Sequence, residues 1–175
     1  DKYAVPRDAG KVCTGIDIGR VSSRDAFYRS VDYNASAGKV DNLMLGEFNI
    51  DYIKSVSKVA SLSVGLRIEN RAAGRIGFAD IEGFTNNILL IKCKGGTDGE
   101  LRSSNANGQG IIYSSTKNVR SEQLRTTNDN RASGGGVGGV NVNAECSDIE
   151  IGAIRVAVIN AATNGCVLAT GSSDI

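Results

Sequence analysis

Residues 61–69 read SLSVGLRIE, and apolar side chains occupy every second position of this stretch. Alternation with a period of two places one face of a β-strand against a core and leaves the other face in water. Similar alternation runs from Val12 to Ile18 and from Phe27 to Tyr33, while Ile88–Cys93 resembles a strand buried on both faces. The dominant period therefore predicts a core made of sheets rather than helices.

The segments between these runs are rich in Gly, Asn, Asp and Ser, which tolerate the backbone conformations of turns. Short strands separated by such turn signals are typical of antiparallel folds. We therefore predict a mainly β protein, an antiparallel β-sandwich or jelly roll with about nine to eleven strands. At most one short helix is expected, within Asn49–Ser61, because Ile50, Ile53 and Val56 lie at helical spacing.

Two segments share the pattern Cys-x-x-Ile-acid-Ile-Gly, one from Cys13 to Gly19 and the other from Cys146 to Gly152. We interpret them as two equivalent strands or as a chance match, since a pattern found twice does not reach the roughly three or more copies of a solenoid. The alternating apolar residues also shift from odd positions to even positions after Ile151, which predicts a bulge near Gly152.

The chain has 175 residues, a length typical of one domain. Residues 12–175 are predicted to form that single β-sandwich domain. Residues 1–11 show little alternation beyond Tyr3 and Val5, and they are predicted to form an N-terminal arm. The chain begins at Asp1 rather than at Met, which we interpret as a mature form whose leader has been removed.

Composition excludes several classes of function. The chain has no histidine, so it can form neither a Ser-His-Asp triad nor a Cys-His dyad, and it has no His ligand for a metal. Its 20 basic and 19 acidic residues are interspersed, which argues against a nucleic-acid partner. The longest apolar run, Ile88–Ile91, is far shorter than the ~20 residues of a membrane helix, so no membrane span is predicted.

Four cysteines, Cys13, Cys93, Cys146 and Cys166, are an even number at wide spacing and include no Cys-x-x-Cys motif. This count favours two disulfides in an oxidising compartment. All pairings remain open, and Cys13–Cys93 with Cys146–Cys166 is preferred because the second pair closes a short loop. The cysteines and the missing Met together predict a secreted or cell-surface protein, in which Asn34 would begin a glycosylation sequon.

Two glycine and serine motifs match catalytic patterns only in part. Gly134-x-Gly136-x-x-Gly139 matches a dinucleotide fingerprint but lacks the preceding strand and the following helix. Ser-x-x-Lys occurs at Ser55 and Ser114 without the other motifs of penicillin-recognising enzymes. Flexible loops and exposed strand faces explain these matches, so neither motif indicates a cofactor or a catalytic serine.

Acidic residues offer the remaining candidates for chemistry. The pairs Asp80/Glu82 and Asp148/Glu150 would suit a small secreted hydrolase, because alternate strand residues share a face. Oxygen ligands for calcium are available at Asp98/Glu100 or within residues 128–130. Neither set has a supporting motif, and the favoured interpretation has no enzyme activity, no cofactor and no metal.

The combined features favour a structural subunit of an extracellular assembly, a pilus-like or other surface filament built from copies of this chain. The arm and the strand from Val12 would lie along an open sheet edge of the next copy, with Tyr3 and Val5 in pockets. Such a head-to-tail contact does not close on itself and therefore makes fibres.

Two alternatives remain. The first is a virion structural protein of β-sandwich type. The second is a secreted carbohydrate-binding or adhesin module that would bind a glycan through the loops Asn105–Gly110 and Asn128–Gly139.

Overall fold

The computed structural model describes residues 15–26, 29–34, 46–57, 64–129, 136–143, 145–157 and 163–168. Within these ranges the chain forms twelve strands and no helix. The strands are β1 (Gly15–Ala26), β2 (Arg29–Asn34), β3 (Gly46–Ser57), β4 (Val64–Glu69), β5 (Arg71–Glu82), β6 (Asn86–Ile91), β7 (Gly96–Ser104), β8 (Ile111–Ser114), β9 (Lys117–Thr127), β10 (Gly136–Val142), β11 (Ser147–Ala157) and β12 (Thr163–Leu168).

The strands form two six-stranded sheets between which the chain alternates. Sheet 1 has the order β1-β3-β5-β7-β9-β11, and sheet 2 has the order β12-β10-β8-β6-β4-β2. Every neighbouring pair is parallel. Because each circuit of the chain adds one strand to each sheet, the molecule is a parallel β-solenoid.

The mainly β prediction is confirmed, but the antiparallel β-sandwich or jelly roll is wrong. Alternation indicates that a strand has one buried face, but it gives no information about the direction of the neighbouring strand. Turn residues between short strands are typical of antiparallel folds, whereas each strand here pairs with one a full circuit away. Ile76 pairs with Asp98, 22 positions further along the chain, and Val31 pairs with Leu66, 35 positions further.

One hydrophobic core fills the space between the two sheets. Rows of inward side chains stack across successive strands, as in Leu66, Ile88 and Ile111 of sheet 2, all fully buried. The facing rows of sheet 1 include Ile53 and Leu101, which are also fully buried and belong to the same cluster. The repeated stacking of similar side chains therefore stabilises the coil along its whole described length.

Every strand of sheet 1 bends once at the same level. At the bend, two consecutive outward residues, instead of one, lie between successive inward side chains. Ile50 and Ile53 both point into the core, and so do Ile76 and Ala79 beside them. This spacing of three is what resembled a helical turn, and the helix predicted in Asn49–Ser61 is wrong because β3 occupies its described part. The shift of the apolar positions near Gly152 is caused by the same bend, and the pairing of β11 with β9 keeps one continuous register there.

Gly77 and Gly99 lie at the bend, where the backbone of the preceding strand comes very close to each of them. A Cβ atom would lie 2.5 Å from the carbonyl oxygen of Asp51 if added to Gly77, and 2.1 Å from that of Gly77 if added to Gly99. We therefore expect Gly99→Ala to lower the free energy of unfolding by about 1–3 kcal/mol, because the strands must move apart. Urea denaturation followed by circular dichroism measures this change.

Glu122 provides the matched control, since it occupies the same bend position in β9 and already carries a side chain. We expect Glu122→Ala to change the free energy of unfolding by less than about 0.5 kcal/mol, as is usual for exposed sites. Equal losses in the two variants would contradict the role assigned to the close backbone approach.

The predicted disulfides are also wrong for the described cysteines, because Cys93, Cys146 and Cys166 are free thiols. Cys93 is fully buried, and burial raises its pKa to about 11, so it remains a protonated, apolar core residue. Cys146 precedes β11 of sheet 1, whereas Cys166 lies in β12 of sheet 2. The remaining partner, Cys13, lies outside the described residues.

Candidate functional site

The outer face of sheet 1 carries a row of charged side chains that could bind a partner. Outward residues of successive strands stack in rows, just as the inward residues do. One row runs through Lys54, Asp80, Arg102, Arg125 and Arg155 in consecutive strands. The first two form an ion pair with a 3.1 Å N–O distance, so the positive charge of this row is confined to its second half.

We call Arg102, Arg125 and Arg155 the arginine ladder. They occupy directly paired positions on β7, β9 and β11, so their backbones are about 4.8 Å apart. Arg102 and Arg125 are each 40% exposed and Arg155 is exposed. Like charges at directly opposed positions destabilise a sheet. The ladder therefore concentrates unfavourable charge on one strip of the surface.

Two carboxylates lie beside the ladder: Asp80, which is the direct cross-strand neighbour of Arg102, and Glu100. Glu100 accepts two hydrogen bonds from Arg102, at 2.9 and 3.0 Å, and lies 3.4 Å from Nε of Arg125. The hydrogen bonds from Arg102, together with the charges of Arg125 and Arg155, lower the pKa of Glu100 below its ordinary value. Within the described residues, Arg155 itself has no ion pair, and it lies at the end of the row away from Asp80.

A stack of cations and aromatic rings lies beside the ladder. Arg20 lies 4.5 Å from the ring centre of Tyr52, and Arg102 lies 4.9 Å from that of Phe78. The two rings stack on each other with their centres 5.3 Å apart. Cation–π contacts of this kind hold Arg102 in place and cover the aromatic faces.

An open groove of about 500 Å³ crosses the start of the sheet 1 strands. Gly74 and Gly96 line it, both with positive φ angles, and Arg75 and Arg120 stand on its sides. Arg120 pairs with Glu150 at 3.4 Å. The groove is polar and shallow, and it supplies hydrogen-bond donors without an enclosed space for a small molecule.

A buried ion pair joins the neighbouring strands β5 and β7 next to Gly96 of this groove. Arg71 donates to Asp98 through two hydrogen bonds, at 2.8 and 3.2 Å, and to the carbonyl of Gly95 at 3.2 Å. Both side chains are fully buried. Burial opposes the charge of Arg71, but the charge and hydrogen bonds of Asp98 outweigh burial and raise its pKa. The pair is closed to solvent and therefore has a structural role.

A second buried polar group joins three strand-to-strand corners. Asp129 accepts hydrogen bonds from the amide of Ala106 and the hydroxyl of Ser103, both at 2.8 Å. Asn87 donates to the same hydroxyl at 2.8 Å. Burial raises the pKa of Asp129 to about 6, and the two hydrogen bonds to its carboxylate offset only part of that effect.

The fold separates the members of one predicted carboxylate pair and engages both members of another in contacts within the chain. Asp98 points into the core and Glu100 points outward, because the bend at Gly99 lies between them. Among Asp80 and Glu82, the first pairs with Lys54 and the second accepts a hydrogen bond from Asn105 at 2.9 Å. No cluster of three or more metal-ligating side chains exists among the described residues.

The two loops predicted to bind a glycan stack on each other at one corner of the coil. Asn128 donates to Asn105 at 2.7 Å, and both residues have left-handed backbone conformations. Their amides are therefore engaged in holding the corner. Residues 130–135 of the second loop lie outside the described ranges, as do Tyr3, Val5 and Val12 of the predicted intersubunit contact. Gly136 and Gly139 of the dinucleotide-like motif lie within strand β10, which is followed by no helix in the described residues.

The fold and the outer face of sheet 1 define a parallel β-solenoid protein with an arginine-bearing surface. No protein family, no curated protein and no solved structure matches the chain. No helix in the described ranges has the length and hydropathy needed to cross a membrane. Sequence reasoning missed the arginine ladder, whose signal is the separation of Arg102 and Arg125 by one circuit of 23 positions.

Proposed function

We propose that the chain is a structural subunit whose copies assemble end to end by adding strands to the open edges of the solenoid. The observation that carries this proposal is the exposure of Ile154 in β11. Its row contains Ile53, Ala79, Leu101 and Leu124, all fully buried by the strands on either side. Ile154 is 39% exposed, because no described strand lies beyond β11.

The two ends of sheet 1 are similar in length and pattern, which supports stacking between copies. The first strand, β1, has 12 residues, and the last, β11, has 11. The Ile-acid-Ile-Gly pattern of Ile16–Gly19 recurs at Ile149–Gly152, and their registers place both segments in the same rows. A β1 edge placed against a β11 edge therefore continues each row into the next copy.

Such a contact is heterologous, since two different edges meet, and it produces an open fibre rather than a closed ring. Terminal strands that lack a polar cap are prone to pair with another chain. Burying the part of Ile154 that is still exposed contributes about 1 kcal/mol, in addition to the main-chain hydrogen bonds. We also propose that the assembly lies outside the cell. Disulfides give no support for this location, because the described cysteines are free thiols.

We expect Ile154→Lys to abolish assembly, because a charged side chain would have to be buried between copies. The matched control is Ala153→Lys, which adds the same charge to the adjacent, outward position of β11. Sedimentation velocity and negative-stain microscopy measure the particles, and circular dichroism checks that each variant is folded.

Persistent single particles of the unmodified chain at high concentration would contradict the proposal, and so would equal assembly of the two lysine variants. Removal of residues 1–11 tests the predicted arm separately. Loss of assembly on removal would assign the added strand to the arm with Val12, whereas unchanged assembly would assign it to the β1 edge alone.

A further inference from the structure

We propose that the arginine ladder binds an acidic polysaccharide whose carboxylate or sulfate groups lie along Arg102, Arg125 and Arg155. This inference concerns the outer face of sheet 1 and does not depend on assembly through the strand edges. Its basis is the combination of stacked guanidinium groups, the absence of an ion pair at Arg155 among the described residues and the polar residues that flank the row.

The positive charge of the ladder favours an anionic ligand. The stacked positions are closer together than the ~8 Å screening length at physiological salt, so the three charges repel one another. Glu100 bridges the first two arginines and reaches no contact with Arg155. Guanidinium groups bind carboxylates and sulfate-like groups through paired hydrogen bonds, which would relieve this repulsion.

The straight arrangement of the three arginines favours an extended ligand. Three positions on adjacent strands span about 9–10 Å in a straight line across the sheet. An extended peptide presents side chains to one face about every 6.7 Å, which does not match the ~4.8 Å repeat of the strands. A linear polysaccharide with one acidic group on each sugar ring places its charges closer to that repeat.

The residues beside the ladder also suit sugar hydroxyl groups. Ser104 and Thr127 flank the row on one side and Gln123 on the other, and all three carry uncharged hydrogen-bonding groups. Near Arg155 the flanking residues are Ala153 and Ala157, which leave that guanidinium accessible.

Nucleic acid is a less suitable partner for this strip. Proteins bind single strands by stacking bases on open aromatic faces. The neighbouring Phe78 and Tyr52 are already covered, by Arg102 and Arg20 respectively, and they stack on each other.

Binding to immobilised heparin and to polygalacturonate, at physiological ionic strength, tests the proposal with a sulfated and a carboxylated polymer. Dextran serves as the neutral polymer and single-stranded DNA as the alternative polyanion. We expect the chain to bind at least one acidic polysaccharide and not dextran. We expect Arg125→Gln combined with Arg155→Gln to weaken that binding by about tenfold or more.

The control combines Arg24→Gln with Arg75→Gln, which removes the same charge from other exposed positions on sheet 1. It should retain the affinity of the unmodified chain. The single change Arg155→Gln removes an exposed side chain without an ion pair among the described residues, so it reports on binding if the double variant folds poorly.

No binding to either acidic polysaccharide, tighter binding to DNA, or an equal loss in the control would overturn the proposal. Repeating the measurements in the Ile154→Lys chain removes any contribution from multivalent particles. Retained ladder-dependent binding by single particles would separate this inference from the proposed assembly.

Discussion

Replacing Asp98 by alanine is expected to lower the free energy of unfolding by about 3–5 kcal/mol, enough to unfold a marginally stable chain. The change leaves the fully buried Arg71 without its partner. The guanidinium cannot lose its proton at accessible pH, so the charge stays buried and uncompensated. Chemical denaturation followed by circular dichroism measures the loss.

The reverse change, Arg71→Met, separates the cost of a buried charge from the loss of the contact itself. It leaves Asp98 buried, but a carboxylate can take up a proton and become neutral. The double variant Arg71→Met with Asp98→Ala should therefore be more stable than Asp98→Ala alone. A double variant no more stable than Asp98→Ala would show that the lost packing of the two side chains, and not the unpaired charge, dominates.

The strands of the solenoid could be predicted because each has one face in the core, and the residues of β4 show this in the sequence. Val64–Glu69 alternates as expected, with Leu66 and Ile68 fully buried. The parallel arrangement could not be predicted in the same way. Strand direction depends on pairing across a whole circuit, and the local pattern of a strand carries no information about it.

A repeat was nevertheless present at the bend and at the corners. Gly77 and Gly99 occupy one bend level 22 positions apart, and Asn105 and Asn128 share a corner 23 positions apart. The same residue type therefore recurs at single positions of successive circuits, whereas the residues between these positions differ from one circuit to the next. The longer Ile-acid-Ile-Gly motif therefore recurs only at the two ends of sheet 1 among the described strands.

The arginine ladder was hidden for a different reason. Arg102 and Arg125 are separated by 23 positions, but Arg125 and Arg155 are separated by 30, because the intervening circuit is longer. Only the register of the strands aligns these side chains. Candidate sites that depend on short sequence spacing, such as Asp98/Glu100, were conversely separated by the bend in the strand.

The stability of the chain is expected to increase as the pH falls from about 7 toward 5, and Asp129 is the reason. Its folded pKa is about 6, compared with an ordinary value of 3.8. Between these values the folded state binds more protons than the unfolded state, so the free energy of unfolding decreases as the pH rises. The full effect is about 3 kcal/mol, at roughly 1.4 kcal/mol for each pKa unit.

The opposite trend, from Glu100, begins only at lower pH. Its pKa is lowered in the folded chain, chiefly by the hydrogen bonds from Arg102, so its contribution is present above the ordinary value of 4.5 and is lost below it. The two effects therefore act in different windows, and the pH of greatest stability should lie near 5.

The variant Asp129→Asn tests this account, because its neutral amide resembles the protonated acid and can keep the contacts to Ala106 and Ser103. We expect urea denaturation of this variant to show little dependence on pH between about 4.5 and 7, and higher stability than the unmodified chain at pH 7. The control Asp80→Asn changes a partly exposed carboxylate paired with Lys54, and it should retain the pH dependence. A pH profile that is the same in Asp129→Asn as in the unmodified chain would show that other groups cause it.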